Sequence, residues 1–412
     1  MSYIIPGYIK IQKNKDAILI ENEYTGLIIK LELIYYTELN DMIVNGHYEK
    51  DSKLFTFLYK HQIIIDEIEF PKYIELYSKN ENDTLSIIIF ATEQCNFRCK
   101  YCYENFKHKS MDKNQYSTIY KFINEKLKNE SFKFLLLNWF GGEPLLESNN
   151  IIAFNQQIRK VAEQNKVDFI SKITTNGYFL NPKIFNALYN YGCRKFQITI
   201  DGSFHNSLRP LINGDPTKET IIENIKKALS DKSKKFEIIL RTNILKDNKD
   251  YQWYQEIANQ FDHDPRIEIH VHPVAPLRKD IDLDMITDSD DLKETLEKHI
   301  NVIKKNILLL YDNEIESPTC YAALRNNYAF RPNGEIVSCT VDLDSSNNAI
   351  GNFDNNKVSI NKKKIEFWTN KINSTKCKTC RNFFKCEMNS CPLKKKKENY
   401  CNYKAQGIVD YD

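Results

Sequence analysis

At 412 residues, with 42% hydrophobic and 12% aromatic residues, the chain has room for two or three domains and enough apolar surface for real cores, which excludes a disordered chain. Only 12 glycines and 12 prolines exclude collagen-like and low-complexity classes. The 58 basic residues nearly cancel the 55 acidic ones, so a net charge of +3 makes no electrostatic case for nucleic acid as a partner, and the lack of an apolar run of ~18 residues excludes a membrane span. The chain opens MSYIIPGYIKIQKNKD, which lacks the basic start, apolar stretch and cleavage site of a secretory signal. It is read as cytoplasmic.

Residues 8–12, 17–23 and 25–32 predict three short strands with turn residues between them. Residues 33–46 and 51–62 predict two amphipathic helices, followed by the apolar stretch 63–66. This content predicts a winged-helix-like module over 1–82. From residue 85 apolar strands alternate with helical patterns. The strands fall at 85–91, 133–140, 168–175, 195–201, 236–244 and 266–272, with helical patterns such as 116–129 and 220–230 between them. Six βα units in order predict a parallel sheet with helices outside. Six is short of the eight of a closed barrel, so a partial (βα)6 barrel is expected, with ligands at the carboxyl ends of its strands. Residues 287–313 predict one long helix. Beyond it the pattern turns irregular and rich in Cys and Lys, with little apolar core, so that segment needs staples. The predicted fold class is α/β, with boundaries at 1–82, 83–313 and 314–412.

The 11 cysteines carry the chemistry. In a reducing cytosol, clustered thiols bind metal or react rather than form disulfides. Ten of them fall in two groups, 95–102 and 320–401; the odd one, Cys193, reads as a small buried hydrophobe at the start of an apolar strand. The first group, Cys95, Cys99 and Cys102, has C-x3-C-x2-C spacing just after the first barrel strand. Structural zinc takes four ligands, usually as CxxC pairs. Three thiolates suit an iron–sulfur cubane with one iron left free.

This triplet resembles that of the radical S-adenosylmethionine (AdoMet) superfamily, whose fold is a partial (βα)6 barrel. The resemblance implies an enzyme in which a [4Fe–4S] cluster binds AdoMet through its free iron and releases a 5′-deoxyadenosyl radical. Tyr101 matches the family's adenine-contacting aromatic. Gly141, Gly142 and Glu143, in GGEP after the second strand, match the segment that binds the AdoMet amino group. Glycines let backbone approach a ligand closely, and a carboxylate accepts from an ammonium. Thr174 to Gly177 match a TNG that family members often carry. Thr199 and Asp201, then His205 and Arg209, resemble the polar groups that hold the AdoMet ribose or carboxylate. Arg241 is read either as a carboxylate binder or as half of a plain salt bridge.

The second group has the spacing C-x13-G-x4-C, through Cys320, Gly334 and Cys339, and then C-x2-C-x5-C-x4-C-x9-C, through Cys377, Cys380, Cys386, Cys391 and Cys401. The Asn-Gly pair before Cys339 predicts a hairpin. The seven cysteines resemble the SPASM extension, which holds two auxiliary [4Fe–4S] clusters; the one departure is four residues, not three, between Cys386 and Cys391. By that resemblance Cys320, Cys339 and Cys391 serve one cluster and Cys377, Cys380, Cys386 and Cys401 the other. The lysine runs at 362–364 and 394–397 read as a solvated face. SPASM-bearing members mostly modify peptides, and an N-terminal winged-helix-like element often grips the leader of a ribosomally made precursor. The resemblance therefore implies a peptide maturase that forms a thioether or carbon–carbon crosslink, served by a flavodoxin- or ferredoxin-type reductant. The alternative is an anaerobic sulfatase-maturing enzyme that makes formylglycine. That branch carries an aspartate beside the second SPASM cysteine, whereas Thr340 follows Cys339 here. An electron carrier without enzyme activity is a third reading, disfavoured by the intact triplet and GGEP.

Overall fold

The computed structural model describes residues 2–6, 9–22, 27–67, 83–246, 251–274, 283–286, 289–305, 309–310, 320–343 and 345–369. Cys377, Cys380, Cys386, Cys391 and Cys401, and the second lysine run, lie outside the described residues. The described residues form two compact units, one over 2–67 with 320–323 and the other over 83–310 with 324–368.

The first unit begins with β1 (Tyr3–Ile4), β2 (Ile9–Lys13), β3 (Ile18–Asn22) and β4 (Leu27–Leu31). Asn14 builds the β2–β3 turn, its side-chain oxygen accepting from the Asp16 and Ala17 N–H groups. β2, β3 and β4 make an antiparallel sheet in that order. Along β3 the burial alternates, Ile18 and Ile20 inward and Glu21 outward, the period of a sheet with one wet face. Two helices follow, α1 (Tyr36–Val44) and α2 (Lys53–Lys60), then β5 (Ile65–Asp66), which pairs antiparallel with β1. The Ser52 hydroxyl caps α2 by accepting from Phe55 N–H at 2.9 Å. Leu39, Met42, Leu54, Phe55, Leu58 and Ile63 close one core over the sheet.

The second unit starts with β6 (Thr84–Thr92), a strand buried along nearly its whole length. The chain then alternates: α3 (Lys113–Asn129), β7 (Phe134–Gly141), α4 (Ser148–Gln164), β8 (Asp168–Thr175), α5 (Pro182–Asn190) and β9 (Cys193–Thr199). It continues through α6 (His205–Leu208), α7 (Lys218–Leu229), β10 (Glu237–Ile244), α8 (Gln252–Gln260), β11 (Ile267–Pro273), α9 (Ser289–Lys305) and β12 (Leu309–Leu310). Strands β6 to β12 lie side by side in chain order, all parallel. Near-continuous apolar runs are what a parallel sheet covered on both faces requires. The fold is thus α/β around a large, mostly parallel sheet, as expected.

Two sequence expectations are corrected here. The long helix over 287–313 is a helix at Ser289–Lys305 and then a strand, with Leu309 and Leu310 pairing against Glu268 and Ile269. A short run of Ile and Leu has no periodicity to separate strand from helix end. The segment after the barrel is also less irregular than expected. β13 (Asn327–Phe330) joins the free edge of β6 in parallel, and β14 (Glu335–Val337), β15 (Ala349–Asp354) and β16 (Lys357–Ile360) extend the sheet antiparallel. The expected hairpin turn is present, with Gly334 at φ +87° between β13 and β14. The apolar core of this stretch is shared with the barrel: Phe122 of α3 meets Tyr328 and Phe330, and Phe330 meets Phe353. Helix α10 (Lys362–Thr369) buries Trp368, whose indole N–H donates to the Asn347 carbonyl.

Candidate active site

The carboxyl end of β6 leads into the loop of Cys95, Cys99 and Cys102. The loop is pinned on two sides. Arg98 N–H donates to the Pro210 carbonyl, Lys100 N–H to the Leu208 carbonyl, and Ile212 N–H to the Asn96 carbonyl, tying it to the segment after β9. On the other side Gly142 N–H donates to the Thr92 carbonyl and Glu143 N–H to the Gln94 carbonyl, tying its root to the end of β7. This explains the two glycines. A Cβ on Gly141 would overlap the Thr92 carbonyl oxygen, and one on Gly142 would overlap that of Gln94; Gly141 also has φ +122°. The two glycines thus let the root of the cysteine loop pack closely against the end of β7.

Glu143 is fully buried. Its carboxylate accepts from the Leu145 N–H, the Thr175 hydroxyl and the Asn176 N–H, at 2.9, 2.6 and 2.6 Å. Burial pushes its pKa up and these three donors pull it down. Glu143 is therefore the junction of the first three strand ends. Asn176, of the TNG turn, also donates to Asn96 in the cysteine loop at 2.9 Å.

Cys95, Cys99 and Cys102 form no disulfide, and Cys95 and Cys102 each feel the charge of Cys99 across the loop. Burial, then Glu143, pushes Cys95 up to about 12; burial, then Cys99, does the same to Cys102. Bare thiols here hold their protons, and a bound cationic cluster is what would displace them. Among the described residues no three His, Cys, Asp or Glu converge as a single-ion site requires. The donor set, three thiols on one loop at the end of β6, fits an iron–sulfur cluster with an open position. Cys193 is fully buried at the amino end of β9, the end of the sheet opposite the cysteine loop, as its bland reading predicted.

On the far side of the loop Tyr101 anchors a polar network. Its buried hydroxyl donates to the Asp201 carboxylate and accepts from Arg209 at 2.7 Å and from Asn243 Nδ2 at 3.0 Å. Asp201 also accepts from the Asn243 N–H at 2.9 Å. Burial pushes the Asp201 carboxyl up, while Arg209 and the tyrosine hydroxyl pull it back. Arg209 is buried, and its Nε has no hydrogen-bond partner. Thr199 ends β9 with its side chain making no hydrogen bond among the described residues. An orphaned guanidinium N–H and a free hydroxyl beside the triplet are the groups that could hold a carboxylate and a ribose. His205 is not such a group: its Nδ1 accepts from Asp201 N–H, its Nε2 bonds Thr217, and burial holds it neutral. Asn243 and Glu93 escaped the sequence reading. Asn243 could have been found as a polar residue closing the apolar strand EIILRTNI. Glu93, fully buried two residues before Cys95, gives no such signal; it pairs with Arg331, 238 residues away, at 2.8 Å.

Residues 89–252 match the family model described as the Radical SAM superfamily. The radical SAM cyclopropyl synthase TigE of Paramaledivibacter caminithermalis is 31% identical over 185 residues, 40% of this chain and 37% of that protein. A GTP 3′,8-cyclase of Staphylococcus epidermidis is 32% identical over 157 residues, 34% of this chain and 41% of that protein. The chain thus spans about two fifths of the length of these curated relatives. Among solved structures, native anSMEcpe with bound AdoMet and Cp18Cys peptide superposes with a TM-score of 0.56 at 16% identity, covering 77% of this chain and 91% of that one. Streptococcus suis SuiB bound to precursor peptide SuiA gives 0.52 at 12% identity, covering 96% and 97%. Both share the fold. Among the described residues no helix is long and apolar enough to cross a membrane. A cysteine triplet on the carboxyl edge of a parallel sheet and a family model matching the stretch around it show that residues 89–252 carry a radical SAM domain.

Proposed function

We propose that this enzyme is a SPASM-type peptide maturase that crosslinks residues of a ribosomally made precursor in the reducing cytoplasm. The observation that carries the reading is the juxtaposition of the three reduced thiols with Arg209, whose Nε has no hydrogen-bond partner, at one edge of the sheet. Cys95, Cys99 and Cys102 would hold the [4Fe–4S] cluster. Arg209 and Thr199 would take the carboxylate and ribose of AdoMet, the Gly141–Gly142–Glu143 segment its amino group, and Tyr101 would lie at the adenine. Bound there, the cluster and AdoMet would supply the radical chemistry that removes a hydrogen from the peptide. The chain's own part is to fix positions. Its two pinned loop edges hold the thiols still, and the Tyr101–Asp201–Arg209–Asn243 network keeps one cation oriented in a site that excludes water.

Cys320, Cys339 and the five cysteines beyond residue 376 would bind two auxiliary [4Fe–4S] clusters as electron acceptors, with a flavodoxin or ferredoxin as donor. The N-terminal unit would grip the leader by adding its strand to the antiparallel sheet of β2, β3 and β4. Two structural relatives bind peptides, SuiA by SuiB and Cp18Cys by anSMEcpe, which supports a peptide substrate. The test is anaerobic reconstitution with iron and sulfide, then dithionite and AdoMet, with 5′-deoxyadenosine read by mass spectrometry. Supplying the peptide encoded beside this gene should then yield a product lighter by two hydrogens. An aldehyde in place of a Cys or Ser side chain would move the enzyme to the formylglycine branch.

A further inference from the structure

Next to the Tyr101 network lies a second cation that the mechanism above does not use. Strand register sets Arg241 between Thr199 of β9 and His270 of β11, and sets Asn243 beside His272. In parallel strands residues in register share a face, so these side chains form two short rows on one side of the sheet. That side is the one facing the cysteine loop: Arg241 Nε donates to Asn243 Oδ1 at 2.9 Å, and Asn243 donates to Tyr101.

The surroundings leave this guanidinium in surplus. Asp201 is its nearest influential carboxylate, but Asp201 already serves Tyr101, Asn243 and the charge of Arg209. Lower on the same face Lys195 is paired with Glu237 at 2.9 Å. Among the described residues Arg241 has no ion pair and no hydrogen bond beyond that of its Nε, so the plain salt bridge is not its state. His270 and His272 stand edge to face, 5.8 Å between centroids. Burial first, and then the Arg241 charge, hold them down to about 4 and about 3, so both are neutral and neither competes with an incoming anion. A half-buried guanidinium with two free terminal nitrogens presents the planar fork that matches a carboxylate.

We propose that Arg241, flanked by His270 and His272, is a substrate subsite for a carboxylate, and that the peptide segment presented to the radical carries an acidic side chain. Only the nature of the molecule bringing the carboxylate rests on the peptide reading.

The test uses the full chain, cluster-reconstituted and saturated with S-adenosylhomocysteine so that the cofactor site is filled. Equilibrium dialysis then measures two competing pairs of probes. One pair is Ac-Gly-Gly-Glu-Gly-Gly-amide against its Gln counterpart; the other is butyrate against butyramide. The expected result is about a tenfold preference for the acid in each pair, the scale of a charged hydrogen bond. Arg241→Gln should abolish it, Arg241→Lys should keep part of it, and S-adenosylhomocysteine binding should stay within twofold in both, which reports an intact fold. A preference for butyrate without one for the Glu peptide supports the subsite and counts against the peptide reading. Equal binding within both pairs overturns the proposal. So does a loss of S-adenosylhomocysteine binding in Arg241→Gln with 5′-methylthioadenosine binding intact, since Arg241 then holds the cofactor's own carboxylate.

Discussion

Single residues at the cysteine loop act through contacts that leave no spare room. Gly142 has two carbonyl oxygens, of Gln94 and Glu93, where its Cβ would be. We expect Gly142→Ala to cost about 3 kcal/mol, the upper end for overpacking, and to lower the iron retained after reconstitution, read by denaturant unfolding and an iron assay. His205 makes a different kind of claim. It is buried neutral between Asp201 and Thr217, with a pKa well below its ordinary 6.5. Below that pH the unfolded chain binds a proton here and the folded chain does not, so stability falls as pH falls. Unfolding midpoints between pH 5 and 8 should therefore drop on the acid side, and drop less steeply in His205→Gln. Equal slopes in the two proteins would remove His205 as a cause. The residues easiest to read in the sequence were those whose type is itself the signal, three cysteines at fixed spacing. Asn243, Glu93 and Arg331 are common residues made important by partners far along the chain, and no local pattern announces that.

Elements were legible where the sheet is buried on both faces. The central barrel strands are mostly apolar runs, and all six were placed within two residues of their observed ends. Of the short flanking strands, the β13–β14 hairpin was foreseen from its Asn-Gly turn, while β12, β15 and β16 were missed because two to six residues carry too little pattern. Yet one of these flanking elements braces the site. Arg331, just after β13, pairs with Glu93 at the root of the cysteine loop while its other arm holds Glu335 of β14 at 2.9 Å. Both partners in the first pair are buried, so removing one strands a charge. Arg331→Met should cost about 3–5 kcal/mol, and the double variant with Glu93→Gln should recover much of it. Additive losses in that cycle would mean the two residues act independently. Inside the barrel a polar row runs Asn138, Lys172, Lys195, Glu237 across four strands. Burial, and then the Lys195 charge, lower Lys172 from 10.5 to about 8. The charged form is thus disfavoured in the folded chain, and stability rises as pH climbs from about 8 to 10.5. Lys172→Met should be more stable than the parent at neutral pH by about 1–3 kcal/mol after allowing for partial exposure, with the gap closing toward pH 10. A constant gap would locate its effect in packing instead.

At the scale of the whole molecule the cysteines fall into two groups, one at residues 95–102 and one at 320–401. The triplet stands on the barrel, while Cys320, Cys339 and the last five follow it in sequence. If the C-terminal group serves as electron acceptor and the triplet as the place where AdoMet is cleaved, the two tasks should separate by mutation. The parent should retain about twelve iron per chain, four for each of three clusters. Replacing Cys95, Cys99 and Cys102 together by alanine should leave about eight and abolish 5′-deoxyadenosine. Replacing Cys377 and Cys380 should also lower the iron count by about four, yet leave 5′-deoxyadenosine formation within a few-fold, because the pinned loop and the Tyr101 network are untouched. Crosslinking of the peptide should be lost in that second variant, since the electron released on bond formation has nowhere to go. Cys193→Ala should change neither iron nor turnover, as its thiol lies at the other end of β9. A parent that holds only four iron, or a Cys377/Cys380 variant that still crosslinks, would confine the redox chemistry to the barrel and leave the C-terminal cysteines a structural task.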